Sequence, residues 1–235
     1  KFILEAQYSN GGWPMYYPLH EGYFTHITFN DNATYNILEL LKDIFNRKPL
    51  YDSLVSDMDI RDSRKAYEKG IKCILKTQIV VNGKPTVWCA QHDEKTLLPA
   101  KARSYELPSF SGGESCGLIK LLMEIDNPSP AVIKAVNGAV EWLDSHRVKH
   151  CRVEFFMNSD GKPDRRVVED PNARDLWARF YDLDTELPFF SDRDGIKKNT
   201  LAEIGYERRT GYNWYTYEPQ QVLDLYPAWK AKWVK

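Results

Sequence analysis

The chain has 235 residues, 43% hydrophobic and 28% charged, with 33 acidic against 32 basic side chains for a net charge of -1; this length and composition suit one compact domain with a substantial core. The balanced charge gives no overall basic field for nucleic acid and no acidic solvating tract, so a polyanionic partner would need a local basic cluster, and no apolar run of about 18 residues reads as a membrane span. Cys73, Cys89, Cys116 and Cys151 lie apart, with no CxxC pair and no histidine at ligand spacing, which argues against a zinc site and a disulfide-dense scaffold and favours buried thiols; one disulfide, and the compartment, stay open.

Lys1 leads directly into Phe2-Ile3-Leu4-Glu5-Ala6-Gln7, which reads as the last turns of a helix with further structure expected upstream. Asp31 or Asn32 caps a second helix that carries Tyr35, Leu38, Leu41 and Phe45 at helical spacing and ends near Pro49. A third covers residues 63–77, with Tyr67, Ile71, Ile74 and Leu75 on one face. Residues 78–88 then read as a β-hairpin on an Asn82-Gly83 turn. Another helix starts near Glu114 after Ser111-Gly112-Gly113, and the next at Ser129-Pro130, an N-cap followed by proline at the first helical position. Val153-Glu154-Phe155-Phe156 and Arg166-Val167-Val168 flank a second turn at Asp160-Gly161. From Trp177 to Tyr217 the chain is dense in aromatics and charges with little periodicity, a composition of irregular loops over a binding face or an ordinary surface.

An internal echo runs through this order. Ile3-Leu4, Gln7, Asn10-Gly11 and Trp13 are answered by Ile74-Leu75, Gln78, Asn82-Gly83 and Trp88. Such self-similarity is expected where helical hairpins repeat around an axis, each too small to bury its own apolar face.

Three arginines, Arg103, Arg179 and Arg193, sit among small, aromatic or acidic neighbours instead of in solvated charge runs. An immobilised guanidinium binds carboxylates through two parallel hydrogen bonds, and several together would recognise an acidic polymer; each alone is equally read as the partner of a nearby carboxylate. Asp31, in Thr28-Phe29-Asn30-Asp31-Asn32, offers a hard oxygen ligand, although on residue types alone the segment reads first as a helix cap. His92-Asp93-Glu94 permits acid–base work, although a lone His–Asp pair is usually structural, and Gly112-Gly113 is a weak anion-binding signal. No Walker loop, GxSxG elbow, HExxH or dinucleotide-binding fingerprint is present.

Taken in order, Asn10-Gly11-Gly12-Trp13-Pro14, Ile27-Thr28-Phe29-Asn30-Asp31, Trp88-Cys89-Ala90-Gln91-His92-Asp93, Arg103-Ser104-Tyr105-Glu106-Leu107-Pro108-Ser109, Trp177-Ala178-Arg179-Phe180-Tyr181-Asp182 and Asp192-Arg193-Asp194-Gly195-Ile196-Lys197-Lys198 resemble family 10 pectate lyases, from the first residues to about Trp214. The resemblance implies a mainly α fold, an α/α toroid of helical hairpins with short β-hairpins and long irregular loops, in which residues 1–235 form a catalytic domain whose N-terminal helices lie upstream. It implies calcium-assisted β-elimination on polygalacturonate, giving unsaturated oligogalacturonides. Arg103 is then the base, Lys120, Arg179 and Arg193 bind substrate carboxylates, and Asp31 belongs to the Ca2+ site. Family members add an acidic residue from an upstream Asp-Asn-Gly-Ala-Thr-like segment that nothing before Lys1 matches. The cations around Arg103 are expected to lower its proton affinity, and the neutral guanidine, a minor species, gives an alkaline optimum. A polymeric substrate implies a secreted, periplasmic or cell-surface monomer. Two other classes stay open on residue types: a glycoside hydrolase using Asp93 and Glu106, and a binding module using Trp13, Trp88, Trp177 and Trp214 as sugar platforms.

Overall fold

The computed structural model of the chain describes residues 1–234. Its elements in chain order are α1 (Phe2–Ala6), β1 (Ile27–Thr28), α2 (Ala33–Phe45), α3 (Pro49–Asp52), α4 (Asp57–Thr77), β2 (Val80–Val81), β3 (Lys84–Pro85), β4 (Gln91–His92), β5 (Phe110–Ser111), α5 (Gly112–Met123) and α6 (Pro130–Ser145). There follow β6 (Cys151–Met157), β7 (Pro163–Glu169), β8 (Trp177–Ala178), β9 (Phe180–Tyr181), β10 (Phe190–Ser191), β11 (Lys197–Lys198), α7 (Tyr206–Gly211), β12 (Tyr215–Thr216) and α8 (Glu218–Trp233). The fold is mainly α, and among the described residues every sheet is a two-stranded ribbon.

Helices α4 and α6 begin at side-chain caps, whereas α2 starts at Asn32 without the side-chain cap bond expected from Asp31 or Asn32. Ser129 accepts from Val132 N ahead of Pro130, as its sequence implies. Helix α4 starts earlier than residue 63 because Ser56 and Asp59 form a reciprocal capping box, Ser56 N donating to Asp59 Oδ2 (2.9 Å) and Asp59 N to Ser56 Oγ (3.2 Å). Asn82 and Gly83 both have positive φ, 50° and 78°, which suits the tight β2–β3 hairpin. The β6–β7 ribbon is longer than expected, pairing Cys151 with Glu169 through to Met157 with Pro163. Helix α8 is absent from the sequence reading, since Pro219 at its start and Pro227 inside it disguise the helical pattern.

Helix α2 packs on α4, and α5 packs on α2, α6 and α8. Their apolar faces, including Leu38, Leu41, Ile74, Leu118, Leu122, Val136, Leu143 and Val222, merge in one core; a smaller cluster of Phe180, Phe189, Phe190, Leu201, Ile204 and Trp214 lies among the C-terminal loops. All four cysteines are free, three of them buried.

The internal echo is a structural repeat. Trp13 Nε1 donates to Ile3 O (2.9 Å), Trp88 Nε1 to Ile74 O (2.7 Å) and Trp177 Nε1 to Leu143 O (2.7 Å), so a third unit exists that the sequence did not reveal. Gln7 Nε2 reaches Ala66 O on α4 (2.8 Å), and Gln78 Nε2 reaches Ala135 O on α6 (2.9 Å). At the same place in the third unit, Arg147 Nη1 reaches Gln220 Oε1 on α8 (3.1 Å). Each unit thus ties its helix end to the next helix. The four tryptophans read as sugar platforms are at most 2% exposed. They are core residues with satisfied indole N–H groups, which removes the binding-module reading.

Candidate active site

Two strand-to-helix junctions build the site. Antiparallel pairing of β1 with β4 fixes Thr28 opposite Gln91, and β5 with β9 fixes Ser111 opposite Phe180. After Thr28 the chain turns through Asn30-Asp31-Asn32, where Asp31 (φ 52°) and Asn32 (φ 58°) are both left-handed, a conformation that Asp and Asn tolerate best after glycine. After Ser111, Gly112-Gly113-Glu114 opens α5. Asp31 and Glu114 therefore occupy the same place after their strands, and they line one cleft of about 180 Å³ together with Asn32, Arg179, Asn213 and Glu218. Glu218 is the first residue of α8, so the N-terminal ends of three helices meet here.

Arg179 is the cation of this cleft. Its Nη2 lies 2.6 Å from Glu114 Oε1 and donates to Asn30 Oδ1 at 2.9 Å, while the guanidinium stacks 4.4 Å above the Tyr212 ring. Burial works against its charge, but Glu114, Tyr212, Glu106 and Asp31 outweigh it, and its pKa sits above the ordinary value. Arg179 Nε is buried and has no hydrogen-bond partner among the described residues.

Arg103 connects to the same cleft. Its Nε and Nη2 form a fork on Glu106, at 2.8 and 2.7 Å, and its backbone N adds a third bond at 3.1 Å. The Tyr212 hydroxyl donates to Glu106 Oε1 at 2.8 Å, so Tyr212 touches the anchor of Arg103 with its hydroxyl and Arg179 with its face. The hydrogen bonds that Arg103 donates to Glu106 hold its proton more tightly than in free arginine. This reverses the expected lowering by surrounding cations, because the group touching Arg103 is a carboxylate. Burial pushes Glu106 up, but hydrogen bonds from Arg103 and Tyr212 prevail and leave it below the usual range.

Arg193 is 65% exposed and forked on Glu207 at 2.9 and 2.9 Å. Glu207 also holds Arg208, which stacks 4.6 Å above Tyr105 beside Arg103. Asp31, Arg103, Arg179 and Arg193 thus belong to adjoining parts of one network. Lys120 does not join it: it lies in the last turn of α5, whose first turn carries Glu114, about 9 Å further along the helix axis at 1.5 Å per residue.

The cleft carries the donor types of a hard cation, although among the described residues its three carboxylates do not bring their oxygens within 4.8 Å of one another. Asp31, Glu114 and Glu218 offer carboxylate oxygens beside amide and hydroxyl oxygens of Asn32, Asn213 and Thr216, with no sulfur or imidazole among them, the donor chemistry of calcium. Elsewhere, His26, Asp93 and Glu94 bring one ligand atom each within 4.8 Å of one another, with His26 Nδ1 3.3 Å from Glu94 Oε2. Asp93 also accepts from Lys95 N, Thr96 N and Thr96 Oγ1, which fixes it in a turn, and hydrogen bonding keeps its pKa low. With Glu106 held ionised as well, neither member of the hydrolase pair is set up as an acid.

Sequence reasoning missed Glu114, Glu218 and Tyr212. Glu114 was findable, since Thr28-Phe29-Asn30-Asp31 and Ser111-Gly112-Gly113-Glu114 align as two strand-to-helix junctions. Tyr212 carries no local signal, because its role depends on Glu106 across the fold.

The family model for pectic acid lyase matches residues 1–223. A family 10 polysaccharide lyase from Cellvibrio cellulosa superposes with a TM-score of 0.87 at 36% identity, covering 96% of this chain and 69% of that one. An Asp-to-Ala mutant of a family 10 polysaccharide lyase from the same organism, in complex with trigalacturonic acid, superposes with a TM-score of 0.87 at 36% identity, covering 96% and 70%. The search of curated proteins found no match. A family match over nearly the whole chain, with structural likeness of the same extent, makes this chain a member of the pectic acid lyase family and a polysaccharide lyase.

Proposed function

We propose that this lyase cleaves polygalacturonate by calcium-assisted β-elimination, with Arg103 as base, on an α/α toroid. The observation that carries the reading is the continuous path from Arg103 through Glu106 and Tyr212 to Arg179, bordering the cleft of Asp31, Glu114 and Glu218. An acidic sugar in the related lyase and an arginine-rich, oxygen-lined cleft here are consistent chemistry. The toroid reading is supported by the order of helix contacts, in which α1, α4, α6 and α8 neighbour one another in succession while α2 and α5 pack against them.

Elimination removes the proton on the carbon next to the uronate carboxylate and expels the glycosidic oxygen from the adjacent carbon, forming a C=C bond. Negative charge moves onto the carboxylate as the proton leaves, so preorganised cations aimed at that group lower the barrier. Arg179 is held in place by Glu114, Asn30 and Tyr212 and sets its positive charge at the cleft. Arg193 adds charge from beside this network through Glu207 and Arg208, and Lys120, further along α5, lies outside the clamp. Calcium bound by Asp31 with Glu114 and Glu218 would add divalent charge at the uronate carboxylate. Arg103 takes the proton through its neutral form, so the rate climbs with pH because that form is scarce. The substrate's size places the enzyme outside the cytoplasm, at the cell surface or beyond, and a monomer suffices for the site.

The test is the ultraviolet absorbance of unsaturated uronides released from polygalacturonate at alkaline pH, with calcium and then with chelator. A calcium-dependent rise that Arg103→Ala abolishes while substrate binding persists is the expected result. Reducing ends without absorbance would replace elimination by hydrolysis, and a flat or acidic pH profile would remove Arg103 as base.

A further inference from the structure

We propose that Glu106, anchored by the Tyr212 hydroxyl, is the positioning residue of Arg103, selecting Nη1 as the nitrogen that meets substrate. The proposal rests on Arg103 acting as base and deepens that reading.

The geometry leaves one nitrogen. Nε and Nη2 are both engaged on Glu106, and Nη1 donates to no residue among those described. The Arg103 side chain is 42% exposed while that of Glu106 is 8% exposed, so the fork holds the inner edge of the guanidinium and turns the outer edge to solvent. Glu106 is itself fixed from four directions, by Arg103 N, Nε and Nη2 and by Tyr212. Its backbone adds to this, with Glu106 N donating to Arg103 O at 2.9 Å and Ala102 N to Glu106 O at 3.0 Å. A buried carboxylate met by this many donors keeps its place.

The pairing serves a base in the manner of a carboxylate behind a catalytic imidazole: it orients the ring or fork and favours the charged form created by proton uptake. The consequence is a guanidinium that yields its proton only in alkaline solution. The groups facing Arg103 are Glu106, the Tyr105 ring at 5.3 Å and Tyr212, with Arg208 on Tyr105 and Arg179 on Tyr212 as the nearest stacked cations. Because Tyr212 touches both Glu106 and Arg179, one side chain sets the spacing between the base and the carboxylate clamp.

The test compares wild type, Glu106→Gln, Tyr212→Phe and Arg103→Ala on polygalacturonate from about pH 7 to about pH 10.5, with thermal unfolding of each. Glu106→Gln is expected to lower kcat roughly 100-fold with KM nearly unchanged, since the fork no longer orients Nη1 toward the substrate. Tyr212→Phe keeps the ring under Arg179 and is expected to lower kcat roughly 10-fold without moving the profile. If Glu106→Gln fails to fold, the kcat of folded Tyr212→Phe at unchanged KM decides. Wild-type kcat and profile in both variants, or a fall in kcat explained by lost folded protein, would overturn the proposal. Turnover retained in Arg103→Ala would instead overturn the base reading beneath it.

Discussion

Arg179 carries its charge where water reaches it poorly, its side chain 16% exposed against a Glu114 side chain that is 8% exposed. Removing one partner of such a pair strands the other, which typically costs about 3–5 kcal/mol, whereas the same contact on the surface would be nearly neutral. Arg179→Ala is accordingly expected to lower unfolding stability by roughly 3 kcal/mol in urea titration and to weaken trigalacturonate binding. Arg179→Lys should restore neither, because an ammonium cannot reproduce the planar contact with Tyr212 and Asn30. His92 poses the opposite problem. It is fully buried, accepts from Cys89 N through Nε2 (3.1 Å) and meets Leu97 O through Nδ1 (2.9 Å), and desolvation pulls its pKa down to about 4. Its neutral form is native, and the unfolded chain binds a proton on it at higher pH than the folded one. The associated stability is fully present above the ordinary histidine pKa of about 6.5 and is lost as pH falls through about 4, on the order of 3 kcal/mol in total. Measured stability should fall between about pH 6.5 and about pH 4, and this part of the slope should vanish in a folded His92→Gln variant. A variant with the wild-type slope would remove His92 as its source.

At the scale of elements, the helices are joined less by their apolar faces alone than by polar clamps at their ends. Gln78 is 8% exposed and its amide spans Thr86 O (2.6 Å) and Ala135 O (2.9 Å), holding the end of α4, the following hairpin and α6 together. Gln78→Leu preserves the bulk, leaves the Thr86 carbonyl without its donor and removes the second bond to the helical carbonyl of Ala135, so a loss of about 1–3 kcal/mol is expected, read as a lower urea midpoint. An unchanged midpoint would mean that water or a local shift satisfies the Thr86 carbonyl. The same clamps explain what was legible in the sequence. Helices α2, α4, α5 and α6 and the β2–β3 and β6–β7 hairpins follow from capping residues, apolar period and turn chemistry, all of which are local. The Gln and Trp echo was visible in two units because their spacings are similar. The third escaped because the β6–β7 ribbon separates Leu143 from Trp177 and arginine replaces glutamine at position 147. In the site, Asp31, Arg103, Arg179 and Arg193 were singled out as residues, but their partners Glu106, Glu114, Glu207 and Tyr212 were not read as partners, since contacts across the fold leave no period in the chain.

For the whole molecule, a net charge of -1 conceals a strong local arrangement. Three helices direct their N-terminal ends, and with them Asp31, Glu114 and Glu218, into one cleft. The helix ends favour negative charge there, while the carboxylates oppose one another, and Arg179 neutralises only part of their sum. A divalent cation that binds the folded cleft and not the unfolded chain stabilises the fold by mass action, by about 2.7 kcal/mol at a hundred times its Kd. For a chain of this size that is a rise in Tm of roughly 5–10 °C. Calcium should therefore raise Tm in a saturable manner, chelator should reverse it, and an equal ionic strength of monovalent salt should not reproduce it. Asp31→Asn and Glu218→Gln remove cleft carboxylates without touching the core, so each should diminish the calcium-dependent rise. Asp93→Asn, at the separate His26–Asp93–Glu94 cluster, should leave that rise intact. If Asp93→Asn abolishes the rise and Asp31→Asn does not, the stabilising ion belongs to that cluster, and the cleft must act on its substrate through Arg103, Arg179 and Arg193 without a tightly held metal.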